Sequence, residues 1–458
     1  MKTSIFFFTL NYRIKTLKEV FDVATFEMQD FSVWEKLKFL IDSYKKIKND
    51  YFPSCTKTFH DTPELMKIIQ DRPRFDAIVT QWSCGSVLSH VLDAPLIWFT
   101  PANPEGFDHQ MKSLGNTMNP SIQPRVETSF VEPMTFVERL QNIVGHKFTQ
   151  LLRQFLETGP IDHFRKEIYP DLPDFGNFTY QRSVLLISNS HVETHGSWPY
   201  YENILNLGGL HLKPGKELEG DLKYFMDSHP EGVAYVSFGS HFKASNMNPN
   251  QKAMFHEAFE ELKIPIIWKW DDDISGISNN VFVSKWVPQN DLLSHPNLKV
   301  FVTHGGLLSV QEAIYHKTTL VGVPLAHDHK GNIARAVSNG YAIGLELISL
   351  SKEKLVSAIR QAWSNETMRR NIGKANQLFM TGENPLNRGV DAIERVMRDS
   401  TYCKIKPGRL KDITWYQYLG IDVALFIFIM TLFLCLIVFK LLLICCRRFS
   451  SFRKSKIE

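Results

Sequence analysis

The side chains best suited to chemistry cluster between residues 286 and 329: Trp286 and Gln289, then His304, Gly305 and Gly306, then Ser309 and Glu312, and last Asp328 and His329. The run 299–303 reads as a strand that delivers His304 and two glycines to the start of a helix over 307–316. Glycines at such a turn let a ligand approach the backbone closely. A helix start offers free N–H groups and a partial positive charge, a setting for a diphosphate. His304 adds a donor on the same side. Ser309 and Glu312, three residues apart, share a helix face, and a carboxylate there can accept both hydroxyls of a ribose. Each piece alone is commonplace. A His-Gly-Gly triplet is usually an ordinary loop, a tryptophan is often a core aromatic, and a helix glutamate often sits on a solvated face. The ordered series carries the argument.

The elements that must position these residues follow a regular rhythm. Apolar runs at 75–80, 95–99, 185–188, 233–238, 265–270, 281–285, 299–303 and 319–323 read as strands. Amphipathic stretches between and after them read as helices, among them Pro249–Leu262, Lys352–Ser364, Glu366–Phe379 and 388–398. Alternation of this kind argues for α/β architecture with parallel sheets. Two halves are expected, 1–205 and 206–400, each Rossmann-like and facing a cleft, with ligands outside the carboxyl ends of the strands. The run 185–188 reads as the last strand of the first half. Residues 111–175, rich in Pro and polar side chains with a helical patch at 136–156, read as an insertion over the cleft.

Composition sets outer bounds. With 458 residues, 44% hydrophobic and 22% charged, the chain is ordinary globular material with room for two cores. A formal charge of +4, part of it in the last dozen residues, gives no case for nucleic acid. Residues 423–439 carry no charge, and beyond Lys440 the apolar run continues to Cys446. Two dozen helical residues rise about 36 Å, enough to cross a bilayer. The expected order is a stalk at 401–420, a transmembrane helix at 421–446 and a basic tail at 447–458. Positive charge on the tail puts it in the cytosol and the body on the luminal side. Trp415, Tyr416 and Tyr418 fall where an interfacial belt belongs, and the last five residues resemble a dilysine retrieval signal of the endoplasmic reticulum. Two sequons, at Asn177 and Asn365, are compatible with a luminal body. Of six cysteines, Cys55, Cys84 and Cys403 lie in the body. At least one of these three has no partner there, and the count does not reveal the redox compartment. The apolar run at 5–10 is only a stub of a secretion signal.

The full series, Trp-x-Pro-Gln, strand, His-Gly-Gly, Glu312 and the Asp328-His329 pair, resembles the donor-binding segment of the UDP-glycosyltransferase family. The likeness is to its membrane-bound animal branch of glucuronosyl- and insect glucosyltransferases. It extends from about residue 75 to the tail, through the strand 235–238 with Gly239 and Ser240, Asn384-Pro385-Leu386, and the anchor. It implies the GT-B arrangement of two Rossmann-like domains plus one membrane helix. It also implies inverting transfer of a hexose from a UDP-sugar to a small lipophilic acceptor. Trp286 and Gln289 would flank the uracil. Ser240 and His304 would contact the diphosphate, helped by the amides of Gly305, Gly306 and Ser309. Glu312 would hold the ribose, and Asp328 with His329 the sugar hydroxyls. The UDP-sugar is a co-substrate, and no cofactor or metal is expected; Asp271-Asp272-Asp273 reads as a strand-end cap. The anchor engages lipid, and homo- or hetero-oligomers stay open.

Two departures bear on function. Family members carry Gln where this chain has His329, a change that goes in some relatives with galactose transfer; glucose remains favoured, with galactose and glucuronate open. The family's catalytic His lies in a loop after a first strand that this chain is expected to lack, together with a signal peptide. Neither His60 nor His90 lies in a matching context, so the catalytic residues are unassigned. The acidic partner of that His aligns with Gln81, and an amide cannot stabilise an imidazolium as a carboxylate does. A weak catalyst, or a UDP-sugar-binding partner of an intact sister chain, is the competing expectation. A nicotinamide-dependent dehydrogenase fits the rhythm but lacks a Gly-x-Gly-x-x-Gly after a first strand.

Overall fold

The computed structural model describes residues 5–8, 38, 42–240, 247–271, 276–399, 414–418 and 420–454. Among the described residues, eleven strands fall into two parallel sheets. The first holds β1 (Ile5–Phe8), β2 (Ala77–Thr80), β3 (Leu96–Thr100), β4 (Ser183–Ser188) and β5 (Ile204–Asn206), in that spatial order. The second holds β6 (Val233–Ser237), β7 (Ile266–Lys269), β8 (Val281–Ser284), β9 (Leu298–Thr303), β10 (Thr319–Gly322) and β11 (Ala342–Gly344). Its order is β11-β10-β9-β6-β7-β8. Chain order therefore runs outward from β6 in one direction and from β9 in the other. The seam between β6 and β9, where Val236 pairs with Val302, is the topological switch point.

Both sheets are covered on both faces, as their unbroken apolar strands require. Under the second sheet, Val236, Phe255, Phe259, Trp268 and Val302 pack on one side, and Tyr235, Phe301, Ile314 and Tyr341 on the other. Helix Pro249–Leu262 starts at an Asn248 cap whose side chain accepts from Gln251 N, with Pro at its first turn. The helix read over 388–398 begins three residues earlier, as Pro385–Arg398, because Asn384 caps it through bonds from Leu386 N and Asn387 N. Its Ala392 and Val396 pack against Ala77, Val79, Ile97 and Leu185 of the first sheet. The last helix of the body thus reaches back to the first sheet.

Three readings of the first half need correction. Ile5–Phe8, read as the stub of a secretion signal, pairs in parallel with β2, Ile5 opposite Ala77 and Phe8 opposite Thr80. A strand does precede β2, and a run of Ile and Phe suits it. The run 185–188 is not the last strand of its sheet, since β5 pairs with it. The helical patch at 136–156 is part of one helix, Phe136–Glu167, opened by a Thr135/Glu138 capping box and continuing past Pro160. That helix buries Asn142, His146, Ile161 and Phe164 inward. Cys55 and Cys84 form a disulfide, with Cα atoms 5.4 Å apart, between helices Ser54–His60 and Ser83–Val91. Cys403 lies outside the described residues.

Residues 406–458 form a separate unit. Within it, helix Ile421–Lys454 contains a 22-residue stretch, Ile421–Leu442, of mean hydropathy 2.9. At 1.5 Å per residue that stretch rises about 33 Å, the thickness of a bilayer core.

Candidate donor site

The switch point sets the site. After β6 the chain turns at Gly239, whose φ of +81° favours glycine. After β9 it turns at Gly305, with φ +85°. A side chain at either glycine also collides with a neighbour: a Cβ at Gly239 would lie 2.7 Å from the His304 ring, and one at Gly305 would lie 2.4 Å from Ile333. His304 is buried and is also walled by Gly306, where a Cβ would lie 2.8 Å from Nε2. The turn itself is fixed by Gly305 N donating to Thr303 Oγ1.

Helix Leu307–His316 starts at Gly306, and no side chain among the described residues caps it. Its first N–H groups therefore point into the turn with the helix dipole behind them, the arrangement that binds anions. Ser240 lies beside the other turn, exposed. A cation that the sequence reading missed supports that turn. Lys269, buried at the end of β7, donates from Nζ to Gly239 O at 2.8 Å and pairs with Asp271 at 3.4 Å. The signal was there: a lysine closes an otherwise apolar, fully buried strand. Asp272 and Asp273 lie outside the described residues.

One turn into the same helix the expected nucleoside residues come together. Gln289 Nε2 donates to Glu312 Oε2 at 2.6 Å and to Ser309 Oγ at 3.0 Å. Tyr235 OH donates to Gln289 Oε1 at 3.4 Å. Burial raises the Glu312 carboxyl above its ordinary pKa, and the Gln289 hydrogen bond offsets only part of that. Trp286 is no core aromatic: it is 73% exposed, on the loop after β8. An indole left in water at a concave site is available as a stacking platform.

The last pair sits at the start of helix His329–Ser338. Asp328 Oδ2 accepts from Asn332 Nδ2 at 2.9 Å, and the same amide donates to Gly305 O, also at 2.9 Å. Burial raises the Asp328 carboxyl, against the pull of the Asn332 bond. His329 is buried, with its ring 4.5 Å from that of His304 and perpendicular to it. Its Nδ1 accepts from Ala326 N at 3.2 Å, which places the ring proton on Nε2. Of the ten expected donor-site residues, Gln289, Ser309 and Glu312 are joined by hydrogen bonds, and Ser240, His304, Gly305, Gly306, Asp328 and His329 lie at the two turns or at a helix start beside them, while among the described residues no contact joins Trp286 to the others. Gln81 follows β2 at the carboxyl edge of the other sheet.

The halves meet across this edge. Gln311 Nε2 donates to Asn189 O at 2.7 Å, Gly331 N to Val126 O at 3.3 Å and Asn339 Nδ2 to Glu193 Oε1 at 2.7 Å. Arg335 pairs with Glu132 at 2.5 Å.

Two Rossmann-like halves, with an uncapped helix start and the half-buried Glu312 carboxylate at the switch point of the second, have the GT-B layout of glycosyltransferases. Residues 3–456 match the family described as "UDP-glucoronosyl and UDP-glucosyl transferase", and the chain belongs to that family. It is 31% identical over 415 residues to UDP-glucuronosyltransferase 2B17 of Mus musculus, covering 89% of this chain and 76% of the relative. To UDP-glucosyltransferase 2 of Dactylopius coccus it is 29% identical over 394 residues, 84% of this chain and 74% of the relative. Among solved structures, the spinosyn forosaminyltransferase SpnP superposes with a TM-score of 0.51 at 13% identity, covering 77% of this chain and 80% of the other. That likeness bears on the fold alone.

Proposed function

We propose that this chain transfers a hexose from a UDP-sugar to the hydroxyl of a small lipophilic acceptor, with inversion at the sugar's C1. Glucose is the favoured donor sugar, with galactose and glucuronate as the competitors. The observation that carries the reading is the Gln289–Ser309–Glu312 cluster one turn above an uncapped helix start. Trp286 stacks on the uracil beside Gln289, and Glu312 takes both ribose hydroxyls. Ser240, His304 and the amides of Gly305, Gly306 and Ser309 receive the diphosphate. Asp328 and His329 Nε2 hold sugar hydroxyls. A neutral hexose is supported by the state of the two guanidinium groups near Asn332: Arg125 pairs with Glu127 at 3.5 Å, and Arg335 is taken by Glu132. A glucuronate carboxylate would have to compete with those acids. The relatives' names span both sugar classes, so the donor is decided by competition among UDP-glucose, UDP-galactose and UDP-glucuronate. Exclusive use of the glucuronate overturns the neutral-hexose assignment.

The same reading places the body in the lumen of the endoplasmic reticulum, held by the apolar helix with its basic end in the cytosol. The Cys55–Cys84 disulfide supports it, since such bonds persist in oxidising compartments. Protease protection of the body in sealed microsomes, with cleavage of the tail, tests the orientation.

A further inference from the structure

Transfer to a hydroxyl needs a base, and Gln81 is not an acid that could orient one. A histidine–carboxylate pair lies at the carboxyl edge of the first sheet. His195 ends the short helix Val192–His195 after β4, and Glu105 lies in the turn Pro104–Gly106 after β3. Glu105 Oε2 is 2.5 Å from His195 Nε2, and both side chains are nearly inaccessible, Glu105 at 1% and His195 at 7%. The contact is close without being an aligned hydrogen bond: neither Glu105 oxygen finds a hydrogen-bond partner among the described residues.

The backbone that carries the histidine is held from two sides. Its carbonyl accepts from Trp198 Nε1 at 3.1 Å and from Arg335 Nη2 at 3.3 Å. His195 also lines a recess with Asn103, Arg125, Gly331, Asn332 and Arg335. Asn103 Oδ1, in a side chain 3% exposed, has no hydrogen-bond partner there. A buried polar atom left in that state costs about 1–3 kcal/mol unless something else bonds it. Asn332 also lines the recess, and its amide is bonded to Asp328 and to Gly305 O. The recess therefore opens against the residues assigned to the donor sugar and diphosphate.

We propose that His195, oriented by Glu105, is the base that deprotonates the acceptor hydroxyl, with Asn103 Oδ1 accepting a polar hydrogen of the bound acceptor or sugar. The assignment rests on the function proposed above. The acceptor O–H proton passes to His195 Nδ1 while the oxygen's electron pair forms the bond to the sugar's C1. The bond from C1 to the β-phosphate oxygen breaks, and UDP leaves with that pair. Glu105 balances the imidazolium, and the proton returns to solvent when product departs. His195 would be a catalytic residue; Glu105 acts through it and is a positioning residue.

The test uses the full chain in detergent, with UDP-glucose as donor and 1-naphthol as acceptor, following UDP release, and calorimetry with UDP alongside. H195A is expected to lower kcat at least ~100-fold, with UDP affinity unchanged, and to regain part of that rate on addition of free imidazole. E105Q is expected to lower kcat about tenfold with KM for UDP-glucose unchanged, since the neutral amide still fits but no longer offsets the charge. An H195A variant within threefold of wild type, or one whose loss imidazole does not relieve, overturns the assignment. Should H195A fail to fold, E105Q decides alone, and an unchanged kcat sinks the proposal. A wild-type chain that binds UDP but transfers nothing leaves the donor site standing and removes the base. A wild type that binds no UDP removes the proposed function itself.

Discussion

Replacing Glu312 with Ala should cut UDP affinity by about two orders of magnitude while leaving the fold intact. The carboxylate is half-buried and already accepts from Gln289 Nε2 at 2.6 Å. Its second oxygen and remaining lone pairs are free to take two ribose hydroxyls. Hydrogen bonds to a charged acceptor contribute about 1.5–3 kcal/mol each. The pair shares one acceptor and one desolvation cost, so about 3 kcal/mol in total is reasonable, or ~150-fold in Kd. Gln289 keeps its bond to Ser309 Oγ in the variant, so little strain is left behind. The assay is calorimetry of the full chain with UDP and with 2′-deoxy-UDP. Wild type should prefer UDP about tenfold, the worth of one such bond, and the variant should not discriminate. A variant within threefold of wild type, or one that still favours the ribonucleotide, refutes the ribose assignment.

Other substitutions separate binding from folding. W286A should weaken UDP binding about tenfold, the value of one base–aromatic stack. Because the ring is 73% exposed, the melting temperature should hold; a drop of several degrees would make Trp286 structural. G239A adds a Cβ 2.7 Å from His304 at φ +81°. It should cost about 1–3 kcal/mol of stability, together with the loss of UDP binding. Wild-type behaviour in both readouts would show that the turn relaxes freely. Glu157 is half-buried with its Oε2 shielded from solvent, and loss of hydration pushes its carboxyl up to about 8 against the pull of Arg153. A raised acid contributes stability below its unfolded pKa, near 4.5, and loses that contribution as pH rises through about 8. E157Q should therefore melt close to wild type at pH 4.5 and increasingly above it toward pH 8.5; a gap that narrows with pH would be the wrong sign.

Most of the second half was legible in advance, because its strands are long apolar runs and its helices carry their own start signals. Helices Pro249–Leu262, Lys352–Ser364 and Glu366–Phe379 run as their patterns predict. What escaped was short or non-local. The strand Ile204–Asn206 has three residues, too few for any periodicity, and is fixed by pairing with β4. Ile5–Phe8 is apolar enough to be a signal stub or a strand, and only a parallel neighbour decides which. Lys269 looks like a strand-end charge until Gly239 O is brought to its ammonium. The Glu105–His195 pair is 90 residues apart in sequence, carried by a three-residue turn and a four-residue helix. Nothing local marks either residue as a partner. The expected donor residues could be proposed together because one continuous segment holds nine of the ten.

The Cys55–Cys84 bridge closes a loop of 29 residues inside the core of the first sheet. Loop-closure arithmetic gives such a tether about 3–4 kcal/mol, a large share of what a domain of this kind has to spare. Made where thiols are kept reduced, the chain would fold with two buried sulfhydryls and a looser first half. Recombinant material from a bacterial cytosol would then carry a sound second half beside a destabilised first, a failure easily mistaken for an inactive enzyme.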